Sequence, residues 1–178
     1  MTVKELSEIA GVSDPARELA QDDSTPAGYL DSLEKKELYQ DAVKFQAYKM
    51  PTDAGIKWAS ACAKELRSPE SKQEKDEPLE ATDQWVKAPG DQTRFAAKKA
   101  ADNAKKNDAS KLAALAVFMS GGSLAPPSAP ETPPPKYSAQ KLISASVSVA
   151  VLSYDPAKAK ERYKKALALG KTLDQPGA

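Results

Sequence analysis

Histidine is absent from this 178-residue chain, and cysteine occurs once, at Cys62. The absence of histidine excludes Ser-His-Asp and Cys-His catalysis, histidine-ligated zinc and a histidine proton shuttle. A single cysteine excludes an intrachain disulfide and a thiolate metal cage. This cysteine usage is typical of a reducing compartment, so we expect a cytoplasmic protein that holds no metal and no cofactor.

Aromatic residues, an excess of one charge and long apolar runs are also scarce. Aromatics make up 6% of the chain, and 26 Lys and Arg residues against 25 Asp and Glu residues give a net charge of +1. A chain so balanced lacks the attraction for phosphates that a general nucleic-acid binder needs. No window approaches the roughly 20 consecutive apolar residues that span a membrane, and MTVKELSEIAG lacks the apolar core of a signal peptide. We therefore expect neither a nucleic acid nor a membrane as partner.

Alanine carries much of the 40% hydrophobic fraction, which predicts closely packed helices rather than a thick sheet sandwich. Asp14, Thr25 and Asp155 each precede a proline, and Asp108 precedes ASKLAALAVFM; these patterns predict helix starts. SAQKLISASVSVAVLSY fits a helix or a strand, and we predict a helix because the chain offers no second strand for pairing. The expected fold is all-α, with about seven or eight helices packed as successive antiparallel hairpins, one of them formed by residues 37–66.

The pattern divides the chain into an N-terminal segment with a short helix, residues 1–24, and a single helical domain, residues 25–175. Residues 67–78, RSPESKQEKDEP, are charged, bounded by prolines and without apolar periodicity, which predicts an exposed, flexible linker. Residues 120–137 form a Gly/Pro-rich crossover loop. Gly121 is expected to supply a left-handed residue where the preceding helix ends.

The proline-rich loop has two interpretations. Pro127-x-x-Pro130 and Pro130-x-x-Pro133 fit the PxxP form that polyproline-binding domains recognise. Alternatively, the loop is a stiff strap that crosses the helices and is anchored by Leu124 and Tyr137. The strap is the favoured interpretation, because PxxP arises easily wherever prolines are dense.

Scarce large aromatics are candidates for partner binding as well as for the core. We favour core packing for Trp58 and leave both roles open for Trp85. Together with Leu124 and Tyr137, these two residues form the set of candidate partner-binding residues. Cys62, flanked by alanines on a helix, is expected to be a small buried residue rather than a nucleophile.

Little in the sequence indicates catalysis. The carboxylate pairs Asp22–Asp23 and Asp76–Glu77 fall in turns or in the linker, whereas general acid–base catalysis needs a dry, positioned pair. SGGS at 120–123 lacks the further glycines and the lysine of a phosphate-binding loop. The sequence therefore favours a non-enzymatic protein–protein interaction module of open oligomeric state. The alternatives are a structural homo-oligomeric subunit, and a small-ligand binder or enzyme that uses carboxylates and tyrosines.

Three stretches resemble an uncharacterised bacterial, all-helical domain family of unknown function: KMPTDAGIKWASACAKEL, ATDQWVKAPGDQTRFAAKKAA and the segment that runs from LAALAVFM through SGGSLAPP to SVSVAVL. The matching positions are Pro51, Asp53, Ala54, Trp58, Ala61, Cys62, Trp85, Val86, Pro89, Arg94 and Ser120 through Pro127. Where the family tends to have paired tryptophans, this chain has Lys57-Trp58, which weakens any binding surface built on the pair. The resemblance brings no established activity. The family's association with gene neighbourhoods of bacterial secretion machines, including type VI systems, implies an accessory or adaptor role by analogy.

Overall fold

Helices account for all the regular secondary structure in the described part of the chain, which confirms the all-α class. The computed structural model describes residues 1–21, 23–126 and 128–174. Asp22 of the first carboxylate pair, Pro127 of the first PxxP match and residue 175 of the predicted domain lie outside these ranges. The α-helices are α1 (Val3–Ala10), α2 (Asp14–Glu18), α3 (Pro26–Lys35), α4 (Tyr39–Lys49), α5 (Thr52–Glu65), α6 (Glu77–Lys87), α7 (Asp91–Asn103), α8 (Ala109–Phe118), α9 (Ser138–Leu152) and α10 (Ala159–Leu173). Two short 3₁₀ helices span Ser71–Gln73 and Pro156–Lys158.

The described residues thus form ten α-helices, more than the seven or eight predicted. The N-terminal segment accounts for part of the difference, since it contains α1 and α2 rather than one short helix. A capping box starts α1: the Thr2 hydroxyl accepts the Glu5 N–H at 3.1 Å, and the Glu5 carboxylate accepts the Thr2 N–H at 2.8 Å. The Thr-x-x-Glu spacing is a helix-start signal in its own right and could have revealed α1 from the sequence.

Two of the predicted helix starts are confirmed by side-chain caps. The Thr25 hydroxyl accepts the Gly28 N–H at 3.1 Å at the start of α3. Asp108 accepts the Lys111 N–H at 3.1 Å at the start of α8. Each cap satisfies one of the backbone donors that the first helical turn leaves without a partner.

The other two predicted caps are wrong, although a helix begins at each motif. Ser13, not Asp14, is the N-cap of α2, and the carboxylate of Asp41 on α4 accepts both the Ser13 N–H, at 2.8 Å, and its hydroxyl, at 2.7 Å. Asp155 makes no capping hydrogen bond, and a 3₁₀ helix begins at Pro156 and leads into α10 at Ala159.

The predicted hairpin of residues 37–66 is also wrong. Only Met50 and Pro51 connect α4 to α5, and both have extended backbones. So short and extended a connection does not turn α5 back along α4, and both helices instead pack against α9 and α10. By contrast, α6, α7, α8 and α9 each pack against the next helix along the chain.

Among the described helices, α8 and α9 make the most extensive contact, and small side chains line it. Ala113, Ala114 and Ala116 of α8 are fully buried. The Ser146 hydroxyl of α9 donates to the Ala109 carbonyl of α8 at 2.7 Å. The valine-rich stretch that fitted either a helix or a strand is helix α9, as predicted.

Trp58 joins α5 to α10 inside the core. Its indole N–H donates to the Ala166 carbonyl at 2.7 Å, and none of the side chain is exposed. Gly170 lies on α10 so close to the ring that a Cβ atom there would meet Trp58 Cε2 at 2.9 Å. The core packing predicted for Trp58 is therefore confirmed.

Arg162 of α10 binds the ends of two other helices. Its guanidinium donates to the Val151 carbonyl at 2.6 Å, to the Ala150 carbonyl at 2.8 Å and to the Leu66 carbonyl that follows α5. The carboxyl end of a helix carries unsatisfied carbonyls and partial negative charge, so a guanidinium is a favourable partner there. One side chain thereby fixes where α5 and α9 end.

Among the described residues, none of the helices combines the length and apolar character needed to cross a membrane.

Two buried helical glycines give a first prediction. Gly170→Ala should lower the free energy of unfolding by about 1–3 kcal/mol, because the new Cβ would press on an indole held in place by its hydrogen bond. Gly55→Ala is the matched control: its Cβ would meet Ile143 Cδ1 at 2.8 Å, the flexible end of a side chain that can change rotamer. Both variants gain the same helix propensity, so urea unfolding followed by circular dichroism isolates the packing effect. Equal stabilities for the two variants would contradict the packing described here.

Candidate functional site

The structure separates the four candidate partner-binding residues into a buried pair and a half-buried pair. Trp58 is fully buried and Trp85, on α6, is 8% exposed. Both belong to the hydrophobic core cluster. The folded protein therefore offers neither indole as an anchor for a partner, and we remove Trp58 and Trp85 from the candidate partner-binding residues.

Leu124 and Tyr137 are half-buried and lie near the two ends of the proline-rich loop. The Leu124 N–H donates to the Thr132 carbonyl at 2.7 Å. The Tyr137 ring packs against Tyr48 of α4 with ring centroids 5.5 Å apart, and its φ of 64° is in the left-handed region. The ring contact holds a backbone conformation that a bulky residue rarely adopts.

Arg94 of α7 fixes the root of this loop. The residue is 3% exposed, and its guanidinium donates to the Phe118 carbonyl at 3.0 Å and to the Ser123 carbonyl at 2.7 Å. It also bonds Asp91 at 3.0 Å and lies 4.8 Å from the centroid of the Phe95 ring. Planar donors directed at two carbonyls specify an arginine here and not a lysine.

The glycine that packs against Arg94 is the left-handed residue near the start of the loop. Gly122 has a φ of +66°, and a Cβ there would meet Arg94 Nη2 at 2.8 Å. The prediction that Gly121 supplies this residue is therefore wrong by one position. Only contact with the buried guanidinium, which lies on another helix, distinguishes the two adjacent glycines.

The structure also describes a concave surface away from this loop, which the sequence did not indicate. An open cleft with a volume of about 610 Å³ is lined by residues from three stretches, 63–78, 100–110 and 150–154. We call it the α6–α8 cleft, because both of these helices begin at its edge. Alanines supply much of its apolar lining, and Tyr154, which is 41% exposed, contributes an aromatic ring.

A hydrogen-bonded network of three side chains lines part of the α6–α8 cleft. Asp76 accepts from the Arg67 guanidinium and, at 2.6 Å, from the Ser110 hydroxyl. Its second oxygen accepts the Leu79 N–H at 2.9 Å and so caps α6. The side chains of Arg67 and Asp76 are 16% and 15% exposed, so this ion pair is largely shielded from water.

The same network joins the two ends of the predicted linker, residues 67–78, through the bond between Arg67 and Asp76. Arg67 also donates to the Ser71 carbonyl at 3.2 Å, and residues near the middle of the segment form a 3₁₀ helix. Helix α6 begins at Glu77, so the prediction of a linker through residue 78 is wrong for its last two residues. The two ends of the segment are joined to each other, while its flexibility stays a prediction.

Exposed charges of both signs surround the α6–α8 cleft. Lys75 lies 3.4 Å from Glu77, and Lys106 lies 3.3 Å from Glu74, with all four side chains at least 60% exposed. Exposed ion pairs of this kind contribute little to stability. Their charges are consequently free to exchange partners at little cost.

Two residues considered above for catalysis, Cys62 and Asp76, have structural roles. Cys62 is fully buried, and burial raises the pKa of its thiol to about 12. Asp76 of the second carboxylate pair is committed to its ion pair and its helix cap. Nowhere in the described ranges do three or more Cys, Asp or Glu side chains gather as they would around a metal ion.

The fold and the cleft define an all-helical protein with a concave surface of mixed charge. Residues 29–173 match the model of a family described as "Family of unknown function (DUF6931)". The chain belongs to that family, which confirms its resemblance to an uncharacterised domain family. No curated protein and no solved structure matches the chain.

The role of Arg94 gives a second prediction. Arg94→Lys should lower the free energy of unfolding by about 2 kcal/mol, because a lysine cannot satisfy both buried carbonyls. Arg17→Lys is the control, since Arg17 is 48% exposed in its pair with Asp14 and should change stability by less than about 0.5 kcal/mol. Chemical denaturation of both variants measures the difference. A small effect at both positions would show that Arg94 does not hold the loop.

The buried thiol gives a third prediction. A pKa raised to about 12 leaves almost no thiolate at pH 8, and the thiolate is the form that reacts. The native protein should therefore react with a disulfide reagent at pH 8 far more slowly than the chain unfolded in guanidinium chloride. Colorimetric thiol titration measures both rates. Comparable rates would mean that Cys62 is accessible and would reopen a nucleophilic role.

Proposed function

We propose that this protein is a non-enzymatic protein–protein interaction module of the cytoplasm, an accessory or adaptor subunit of a larger bacterial assembly such as a secretion machine. The α6–α8 cleft carries the proposal. It receives a segment of a partner protein. The assembly itself is proposed from the family resemblance alone.

The size and lining of the cleft support a peptide as its occupant. Binding pockets for small ligands commonly measure about 300–1,000 Å³, so 610 Å³ accommodates several side chains of a peptide. Ala100, a half-buried small residue of the lining, lets a partner backbone approach closely, and Tyr154 is an exposed aromatic of the kind enriched at interfaces. The Arg162 guanidinium packs against the face of the Tyr154 ring, with its central carbon 5.5 Å from the ring centroid.

Exposed charge defines the chemistry of the partner segment. Because Lys75, Glu77, Glu74 and Lys106 form exchangeable surface pairs, a segment with both an acidic and a basic side chain can replace their partners in register. The buried network behind them keeps its own bonds and serves as a rigid wall. We therefore expect a mixed-charge segment, bound less tightly as the salt concentration rises.

The same observations weigh against the alternatives. Arg67, Asp76 and Ser110 use their hydrogen-bonding groups on one another and on helix ends, which leaves few free polar groups for a small ligand or a reaction. Within the described ranges, only four large apolar side chains are exposed. They are Met1, Ile9, Leu152 and Tyr154. A structural homo-oligomer would require a larger continuous apolar face.

Filling the cleft tests the proposal. Ala100→Trp places an indole inside the α6–α8 cleft and should weaken partner binding at least tenfold, and Tyr154→Ala should weaken it through loss of the aromatic contact. Ala96→Trp makes the same substitution one turn earlier on α7, at an exposed residue outside the cleft lining, and should leave binding unchanged. Affinity capture from the native host with quantitative mass spectrometry, followed by titration of the purified partner, measures the effect. Thermal unfolding checks that all three variants fold.

Two results would overturn the cleft as the binding site. The first is the same set of captured proteins from the wild type, Ala100→Trp and Ala96→Trp. The second is equal loss of binding in both tryptophan variants, which would place the interface on the exposed surface of α7 instead.

A further inference from the structure

Within the proline-rich loop, the chain leaves Leu124 and returns beside it at Thr132. The Leu124 N–H donates to the Thr132 carbonyl at 2.7 Å. The Ser123 hydroxyl oxygen accepts the Thr132 N–H at 3.0 Å and the Ala125 N–H at 3.1 Å. The backbone at residue 132 is thus within hydrogen-bonding distance of the backbone at residue 124.

This closure makes the excursion unnecessary for connecting α8 to α9. A direct link from Leu124 to Thr132 would cover the same distance, since the two residues already touch. A purely structural strap has no need of the intervening residues. Long surface excursions between fixed ends are instead typical of binding loops.

The described tip of the loop, residues 125–126 and 128–131, makes its hydrogen bonds within the loop. Its hydrogen bonds are internal, from the Ala129 N–H to the Pro126 carbonyl at 2.9 Å and from the Thr132 hydroxyl to the Pro130 carbonyl at 3.3 Å. All of these tip residues are exposed except Ala125, which is half-buried. No hydrogen bond or ion pair joins the described tip residues to a helix.

The root beneath this tip is the most constrained part of the connection. The buried Arg94 holds the carbonyls of Phe118 and Ser123. Gly122 is packed so closely against Arg94 that it has no room for a side chain. A rigid root and an unattached tip together present the tip in a fixed place on the surface.

The chemistry of the tip identifies the kind of partner. Pro126 and Pro130 have no N–H to donate, and their carbonyls already accept the Ala129 N–H and the Thr132 hydroxyl, so they offer their ring faces. Their fixed φ angles reduce the conformational entropy that binding would cost. The complementary surface is a groove lined by aromatic rings, against which the exposed proline rings of this turn can pack.

We propose that residues 124–126 and 128–132 form a display loop that docks into an aromatic-lined, proline-binding groove of a partner protein. Pro127, which lies outside the described residues, is not needed for this surface. The display loop shares no residue with the α6–α8 cleft, so the two proposals stand or fall separately.

Site-specific crosslinking identifies the partner. A photoreactive amino acid at Ser128, at the exposed tip, should capture one protein that the same probe at Lys99, exposed on α7, does not capture.

The synthetic peptide SLAPPSAPETP, residues 123–133, contains no aromatic residue. Its titration into the purified partner should therefore change the partner's own tryptophan fluorescence if an aromatic groove receives it. The full-length Pro126→Ala/Pro130→Ala variant should bind the partner at least tenfold more weakly than the wild type, while Glu131→Gln binds within about threefold.

A shortened loop supplies the structural control. Replacement of residues 125–131 by Asn-Gly, a two-residue turn that suits paired strands, should leave the melting temperature within about 2 °C of the wild type and abolish binding to the crosslinked partner. A large fall in melting temperature would show that the loop is a structural strap and overturn the proposal. Equal crosslinking at Ser128 and Lys99, unchanged fluorescence, or undiminished binding of the double proline variant would overturn it as well. The Ala100→Trp variant should retain the loop partner, which separates this result from the test of the cleft.

Discussion

The close approach of alanine-rich helices is the constraint on which the rest of this structure depends. Alanine is the most frequent buried apolar residue among those described, and small side chains bring helix backbones near one another. At that spacing, buried polar side chains reach carbonyls of neighbouring helices: Trp58 bonds Ala166, Ser146 bonds Ala109, and Tyr29 bonds Ala16 at 2.8 Å. Each bond fixes one helix against another, because a buried donor without its acceptor is costly. These hydrogen bonds therefore fix the relative positions of helices that alanine contacts alone would hold less specifically.

The ends of the packed helices produce the surface features. Helix α5 and helix α9 end where Arg162 binds their carbonyls, and α6 and α8 begin nearby with aspartate caps, so opposite helix termini meet around the cleft. The Arg67–Asp76–Ser110 network and the α6 cap already have partners, so this part of the cleft wall is ordered before any ligand arrives. Preorganisation of this kind favours binding, since little entropy is lost when a partner is received. The display loop is ordered in a similar way, because the buried Arg94 binds the backbone at its base while Pro126 and Pro130 are exposed at its tip.

Local sequence signals predicted the helices well and the surface poorly. Thr25 and Asp108 cap their own helices, so the start of each could be read from adjacent residues. The contact between Ser13 and Asp41 could not be read in this way, because the two residues are distant in sequence. For the same reason the sequence did not reveal the cleft, whose lining comes from three separated stretches, nor the choice of Gly122 over Gly121. Both tryptophans among the predicted binding candidates, Trp58 and Trp85, are core residues.

The meeting of Leu124 and Thr132 has a practical consequence for protein engineering. Foreign peptides grafted between two backbone positions that already touch do not pull the host structure apart, and exposed loop tips are where inserted sequences are best tolerated. Here the graft would rest on a buried guanidinium and a glycine with no space to move, so both of its ends would be held still. An epitope or a reporter domain placed at this position would be presented outward by a scaffold that needs no redesign.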